Sequence, residues 1–301
     1  MKTVLWTTEE TRYLDRIRLL DPIDRAVHWI NERERVRMRK EFDDAKPWTD
    51  DPIIQRFRFC NIRRMDDKVS RWLMNNWYRP YFNHPLMVPA VALARFINLP
   101  SSLELVTNLI FKSDYWKRDG IAAILRDHKK TGNPLYNNAY MVRGNDGVDK
   151  VASVLNHYID SLRNDKSDSW LHPCRDSMEN TCKRISARYG FGSFMAGQIT
   201  ADLRWAIAGD WTDTMSWAAQ GPGSTRGLHR IAGRDYTKSL KPTKFLAELL
   251  DLSDALRERL SVRIFAKLEL HDVQNTMCEF DKYERVLWGQ GKPKQSYKPA
   301  T

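Results

Sequence analysis

Long apolar runs, cysteine pairs and low-complexity tracts are all scarce in this chain of 301 residues. Its longest apolar stretch, residues 87–99, is interrupted by Pro89 and Arg95 and is shorter than the roughly 20 residues that span a bilayer. The opening, MKTVLWTTEETRYLDR, turns charged before an apolar segment can develop, unlike a secretory leader. Both features predict a soluble protein with no membrane partner. Only four cysteines are present, Cys60, Cys174, Cys182 and Cys278, too scattered for a disulfide framework, so a reducing compartment is expected. His172, Cys174 and Cys182 come nearest to a metal pattern, but they lack both zinc-site pairing and the usual iron–sulfur spacing. No metal site and no cofactor are assigned, and a divalent-metal requirement stays open. The pattern G-x-x-x-x-G-K-S/T is absent too, which excludes a P-loop triphosphatase. With 14 glycines, 13 prolines and 42% hydrophobic residues, the chain is neither collagen-like nor disordered. At about 100–200 residues per domain, one large or two coupled domains are expected.

Positive charge is what the sequence has in surplus. Lys and Arg number 49 against 38 Asp and Glu, a net +11. Such an excess points to a polyanionic partner, of which nucleic acid is the commonest. Eleven tryptophans suit base stacking as well as core packing. Trp205, Trp211 and Trp217 are assigned to the core.

Apolar spacing is helical throughout. Val151, Val154, Leu155, Tyr158, Ile159 and Leu162 mark one buried face, and Phe245, Leu246, Leu249, Leu250 and Leu256 mark another after Pro242. Residues 66–77 and 89–97 also read as helices. Ser101 and Glu104 form a capping-box pattern for a helix ending near Phe111. The run NERERVRMRK, residues 31–40, reads as a solvated helix face. Turns are expected at 144–147 and 221–227, and residues 289–301 form a flexible basic tail. The expected fold class is all-α.

Within it, residues 186–208 read as helix, tight turn, helix. Gly190 and Gly192 flank Phe191, the pattern of a helix-hairpin-helix, whose turn amides, with Ser193, could hold a DNA phosphate. A plain helical hairpin is the alternative. Further on, GPGSTRGL at 221–228 is a glycine-rich turn carrying Ser224 and Arg226. Its Gly221 and Gly223 amides could wrap an anion that Arg226 neutralises.

Four segments together resemble one family. FCNIRRMDD at 59–67 is similar to the F-C-x-x-R-x-x-D opening of the α-glutamyl/putrescinyl thymine pyrophosphorylases. These are phage amino acid:DNA transferases grouped with the helical domain of 5-hydroxymethyluracil DNA kinases. The hairpin with Phe194-Met195-Ala196, Gln198 and Asp202-Leu203-Arg204 resembles their G-x-G-x-F-M-A core, and residues 221–228 their G-P-G-x-x-R-G-L loop. MCEFDKYER at 277–285 resembles their C-E-x-D-K-Y-x-R ending, although Gln274 stands where a carboxylate is expected. The likeness runs from about 57 to 294.

The resemblance implies a helical DNA-glycosylase-like fold in residues 57–288, preceded by a helical extension at 1–56. It implies phage DNA hypermodification in the cytoplasm of an infected bacterial host. An amine, amino acid or polyamine would displace phosphate or pyrophosphate from phosphorylated 5-hydroxymethyluracil in double-stranded DNA. A functional link to a 5-hydroxymethyluracil DNA kinase follows. Such chemistry needs a base for the amine and fixed cations for the leaving group. Asp202, Glu279 and Asp281 are the candidate bases. Arg226 with Gly221, Gly223 and Ser224 is the candidate phosphate site, helped by Lys282, Arg63 and Arg204. Asn61 or Gln198 could read the uracil edge. Asp210 and Asp213 fall where a glycosylase carries its catalytic Asp. A glycosylase and a non-catalytic DNA-binding partner of the kinase therefore remain as alternatives.

Overall fold

A computed structural model describes residues 4–137, 147–163, 177–293 and Ser296. Among them the secondary structure is helical, apart from one isolated antiparallel bridge between Phe57 and Ser296. No helix among the described residues is long and apolar enough to cross a membrane. The chain divides into two compact units, Met1–Asp67 with Gln220–Thr301, and Lys68–Ala219. These boundaries differ from those drawn at 56 and 288. The N-terminal helices are no separate extension, because Arg25 pairs with Glu284 at 2.8 Å and Arg18 donates to the Leu287 carbonyl. The bridge at Ser296 likewise ties part of the expected tail to unit 1.

Unit 1 opens with α1 (Thr8–Arg18), α2 (Pro22–Glu41) and α3 (Pro52–Arg56). Each start is written in the sequence. Thr7 and Glu10 form a reciprocal capping box, while Asp21-Pro22 and Asp51-Pro52 place a capping carboxylate before a proline at the first helical position. The stretch at 31–40 is not the solvated face expected of it. Glu32, Arg33, Glu34 and Val36 are buried. Burial is tolerated because each charge is partnered: Glu32 accepts from Thr49, Arg33 donates to Asn61 and the Cys60 carbonyl, and Glu34 pairs with Arg37.

Unit 2 follows. α4 (Lys68–Leu73) runs into a π-helical turn at Met74–Tyr78. α5 (Met87–Ile97), the longest apolar stretch, is buried at every residue and lies in the middle of this unit's core. α6 (Pro100–Phe111) starts two residues earlier than the Ser101–Glu104 pattern requires. Leu99 occupies the cap without a side-chain bond, so the expected capping box does not form. Pro100, with its preset φ, fixes the start instead. α7 (Arg118–Lys130), α8 (Lys150–Ala152) and α9 (Asp160–Arg163) come next, the last two joined by a π segment at Ser153–Ile159. α10 (Met178–Ser186) and α11 (Ser193–Ala206) complete the unit. Of the turn expected at 144–147, Gly147 has a positive φ of 72°, and Gly144 lies outside the described residues, as do His172 and Cys174.

The chain then returns to unit 1 with α12 (Pro222–Ile231), α13 (Pro242–Arg259), α14 (Val262–Phe265) and α15 (Leu270–Leu287). The segment 221–228, expected as a glycine-rich turn, is helical from Pro222 onward. Its glycines serve packing rather than a loop. A Cβ at Gly223 would lie 2.2 Å from Cys278 Sγ, and one at Gly227 would lie 2.3 Å from the Met277 carbonyl oxygen. Glycines four residues apart thus form a bare stripe on which α15 rests directly.

Candidate functional site

The close contact of α12 with α15 sets up a charged node. Arg226 and Arg230 are four apart on α12, and Asp281 and Arg285 four apart on α15, so each pair shares a helix face. Asp281 is 0% exposed. Its Oδ2 accepts from Arg226 Nε at 2.8 Å and its Oδ1 from Arg230 Nε at 2.8 Å, while Arg285 Nε lies 3.5 Å away. Three guanidiniums therefore surround one carboxylate, a surplus of two positive charges. Arg226 and Arg285 remain about a third exposed, at 36% and 31% of their side chains. This geometry revises the role of Asp281. A carboxylate sealed from solvent, with both oxygens already accepting, offers no route for an incoming amine. It organises arginines instead.

A second cluster in unit 1 centres on Glu279, which is buried. It pairs with Lys282 on the next turn and accepts the Cys60 backbone N–H at 3.1 Å. Burial works against the Lys282 charge, but Glu279, together with the Cys60 and Cys278 sulfurs, holds the ammonium well above its ordinary range. The same carboxylate, first among the causes, raises the Cys60 thiol, and burial pushes Cys278 up to about 11. Neither thiol is a ready nucleophile. Lys282 and Glu279 neutralise each other, so Lys282 is a weaker phosphate contact than expected from sequence, and the Glu279 carboxylate is already engaged by Lys282 and the Cys60 amide.

Asp67 was missed as a functional candidate. Burial pushes its carboxyl up to about 6, against the stabilising N–H of Asn61 and the charges of Arg33 and Arg64. The signal was present in the last Asp of FCNIRRMDD, but burial is invisible in a motif. Asn61 donates to the Asp66 carbonyl and accepts from Arg33, so it braces this loop, and Arg63 pairs with Asp66. Ser224 is fully buried, bonded to Gly221 and to Gln274 at 2.8 Å. Gly221, Gly223 and Ser224 therefore lie in the helix interface rather than in an open anion-binding loop.

At the start of α15, Glu269, His271 and Asp272 bring ligand atoms within 4.8 Å of one another. Asp272 accepts N–H groups from Glu269 and Arg64, which makes it a brace for the helix start.

The remaining predicted residues lie in unit 2. Asp202 is 0% exposed and bonded to Arg95 and to the Tyr78 hydroxyl. Among the described residues its ion-pair partner is Arg95 of α5, and at 0% exposure it is closed to an incoming amine. Arg204 lies over the Trp205 ring at 4.2 Å, and Gln198 on α11 is half-buried. Trp211 is buried as expected, while Trp205 and Trp217 are half-buried against the same core. Asp213 accepts from Ser177 and from the Met178 and Glu179 amides, capping α10, and Asp210 is exposed.

In the hairpin, Gly190 carries the positive φ, at 84°, and a Cβ there would strike the Tyr158 ring. Gly192 is the extended cap of α11, with nothing within 4 Å of its Cβ position. Gly190, Gly192 and Ser193 are exposed, and Phe191 anchors the turn 5.5 Å from Phe96.

A family model described as "5-hmdU DNA kinase, helical domain" matches residues 21–292. A 5-hmdU DNA kinase of Bacillus phage SP10 is 23% identical over 304 residues, covering 88% of this chain and 47% of the relative. The chain thus spans about half the length of that protein. No solved structure matches.

Proposed function

The chain belongs to the family of the 5-hmdU DNA kinase helical domain, and from that premise we propose that it is a DNA-modifying transferase. It acts on 5-hydroxymethyl-deoxyuridine in double-stranded phage DNA whose hydroxymethyl oxygen already carries a phosphate or pyrophosphate. An amine nitrogen forms a bond to the 5-methylene carbon, and the carbon–oxygen bond to the phosphate breaks. The leaving group departs with the bonding electron pair, and the amine loses a proton to a base. The observation that carries this reading is the arginine-rich node at Asp281, with Arg226 facing solvent where a departing oxyanion could be met.

Fixed guanidiniums help most where charge concentrates in the transition state. Arg226 remains the principal contact for the leaving group. Asp67 replaces Asp202 and Asp281 as the base, because its raised carboxyl exchanges protons near neutral pH and so suits general-base work. The reacting methylene is stacked inside a duplex, so the base must be turned out, at a cost of a few kcal/mol. The +11 charge and the exposed hairpin amides supply sequence-independent grip on DNA.

A second reading follows from the relative, of which this chain matches only about half. In it the protein presents modified DNA to a separate kinase and performs no chemistry. Incubation with phosphorylated 5-hydroxymethyluracil DNA and mixed amines, then nucleoside mass spectrometry, separates the two. An aminated nucleoside is the expected result. Tight DNA binding with unchanged nucleosides would establish the second reading.

A further inference from the structure

The Asp281 node contains more positive charge than the protein uses. Arg226 and Arg230 reach Asp281 through Nε alone, and Arg285 also approaches it with Nε. Side-on contact of this kind leaves the paired Nη groups pointing elsewhere. Arg230 is 5% exposed, and its Nη2 is buried with no hydrogen-bond partner in the protein. A buried guanidinium nitrogen without an acceptor is costly unless something else supplies one. Tyr236 covers the Arg230 guanidinium, its ring centroid 4.4 Å away, and so fixes its plane. Arg226 and Arg285 meet the same carboxylate and keep about a third of their side chains open to solvent.

We propose that Arg226, Arg230 and Arg285 together form a binding site for a tetrahedral oxyanion, a phosphate or pyrophosphate group, with Asp281 as the buried clamp that sets their spacing. Arg230 and Arg285 thereby join Arg226 as anion contacts, and Asp281 is a positioning residue. The surplus of two positive charges matches a phosphate dianion, and the Nη pairs supply the forked donors that guanidinium uses for phosphate. The glycine stripe contributes as well. With no side chain at Gly223 or Gly227, α12 lies close enough to α15 for one carboxylate to reach both Arg226 and Arg230. That the anion is the leaving group rests on the transferase reading; that the site takes such an anion does not.

The test is isothermal calorimetry of the full chain with inorganic pyrophosphate and with orthophosphate, in the presence and absence of saturating unmodified duplex DNA. Wild-type protein should bind pyrophosphate, and Arg226→Gln and Arg285→Gln should each weaken it about tenfold or more, the cost of about one charge-assisted bond. Arg285→Gln replaces a partly exposed side chain and keeps the test valid if Arg230→Gln fails to fold. Arg234→Gln, just past the end of α12, where the guanidinium pairs with Glu248 of α13, should leave affinity unchanged. Binding should persist under saturating DNA. No measurable wild-type binding, variants that bind like wild type, or complete displacement by unmodified duplex would overturn the site, the last by making it a contact for backbone phosphate. Pyrophosphate binding without any aminated nucleoside would leave the site standing and remove the transferase reading alone.

Discussion

Two carboxylates, Asp202 in unit 2 and Asp281 in unit 1, are equally sealed, both at 0% exposure, yet their surroundings differ in kind. Among the described residues Asp202 meets the guanidinium of Arg95, which is itself 3% exposed and also donates to Asn98 and Ser70. This is one carboxylate against one guanidinium, with neither member open to solvent. Asp281 meets three guanidiniums, two of them open to water. The residue types are the same. What separates a structural tie from a binding node is the surplus of charge and the path to solvent, and neither is visible at a single position.

The largest effect is expected at the balanced cluster. Asp202→Ala leaves Arg95 as a buried, uncompensated charge, a loss of about 3–5 kcal/mol. Chemical denaturation should show it; a midpoint matching wild type would remove the distinction between the two carboxylates. At the open node the damage should appear in rate rather than stability. Arg226→Ala should slow amine transfer by about 10²–10³, the usual consequence of losing one preorganised donor, with unmodified DNA bound as before. Arg226→Lys should recover part of the loss, since an ammonium lacks the planar fork. Transfer at the wild-type rate would return Arg226 to the merely structural class.

Asp67 tests whether unit 1 stores cost at its site. Its carboxyl ordinarily titrates at 3.8 and is pushed up to about 6 by burial. The folded chain therefore prefers the protonated form. The group's contribution to stability is whole below about pH 4 and is lost as pH rises through about 6. Asp67→Asn, which keeps an acceptor for the Asn61 N–H, should stabilise the protein by roughly 1–3 kcal/mol above pH 6 and leave it unchanged near pH 3.5. Thermal melts at the two pH values measure this. In the same variant, transfer should be slow at every pH, whereas wild-type transfer should fall only below about pH 6.

The smallest effect concerns the hairpin. Gly192 has ordinary extended geometry and open space around it, so Gly192→Ala should change stability by no more than about 0.5 kcal/mol. Gly190→Ala, at positive φ against Tyr158, should cost about 1–2 kcal/mol or more. A drop in duplex affinity for Gly192→Val at unchanged stability would give unit 2 a DNA-contacting role besides its architecture.

The helical class was legible from apolar spacing, and the motifs carrying Arg226, Glu279, Asp281 and Lys282 led to residues that the fold gathers in one unit. Roles were less legible than positions. Asp281 read as a base because a motif does not reveal that two guanidiniums from α12, more than 50 residues earlier, close over it. Arg230 went unnoticed, and Arg285, the last residue of MCEFDKYER, was given no role, although each is four residues from a named site residue, a spacing that places them on the same helix face. Asp202 read as a base because nothing near it in sequence shows that Arg95, 107 residues away on α5, closes over it. The stretch at 31–40 looked solvated because charge count alone says nothing about whether partners are waiting. Asp67 required burial to be known before its titration could be.

The interleaving of the two units also dictates an order of assembly on the ribosome. Residues 68–219 emerge as one uninterrupted stretch and hold their own core, so they can fold while translation continues. The first 67 residues have no such option. Arg25 waits for Glu284, the Cys60 amide for Glu279 and the Arg64 amide for Asp272, all supplied by α15. The unit that carries the arginine node is begun before the second unit and completed after it, and a nascent chain stalled before α15 would hold a finished second unit and an earlier segment still without its partners.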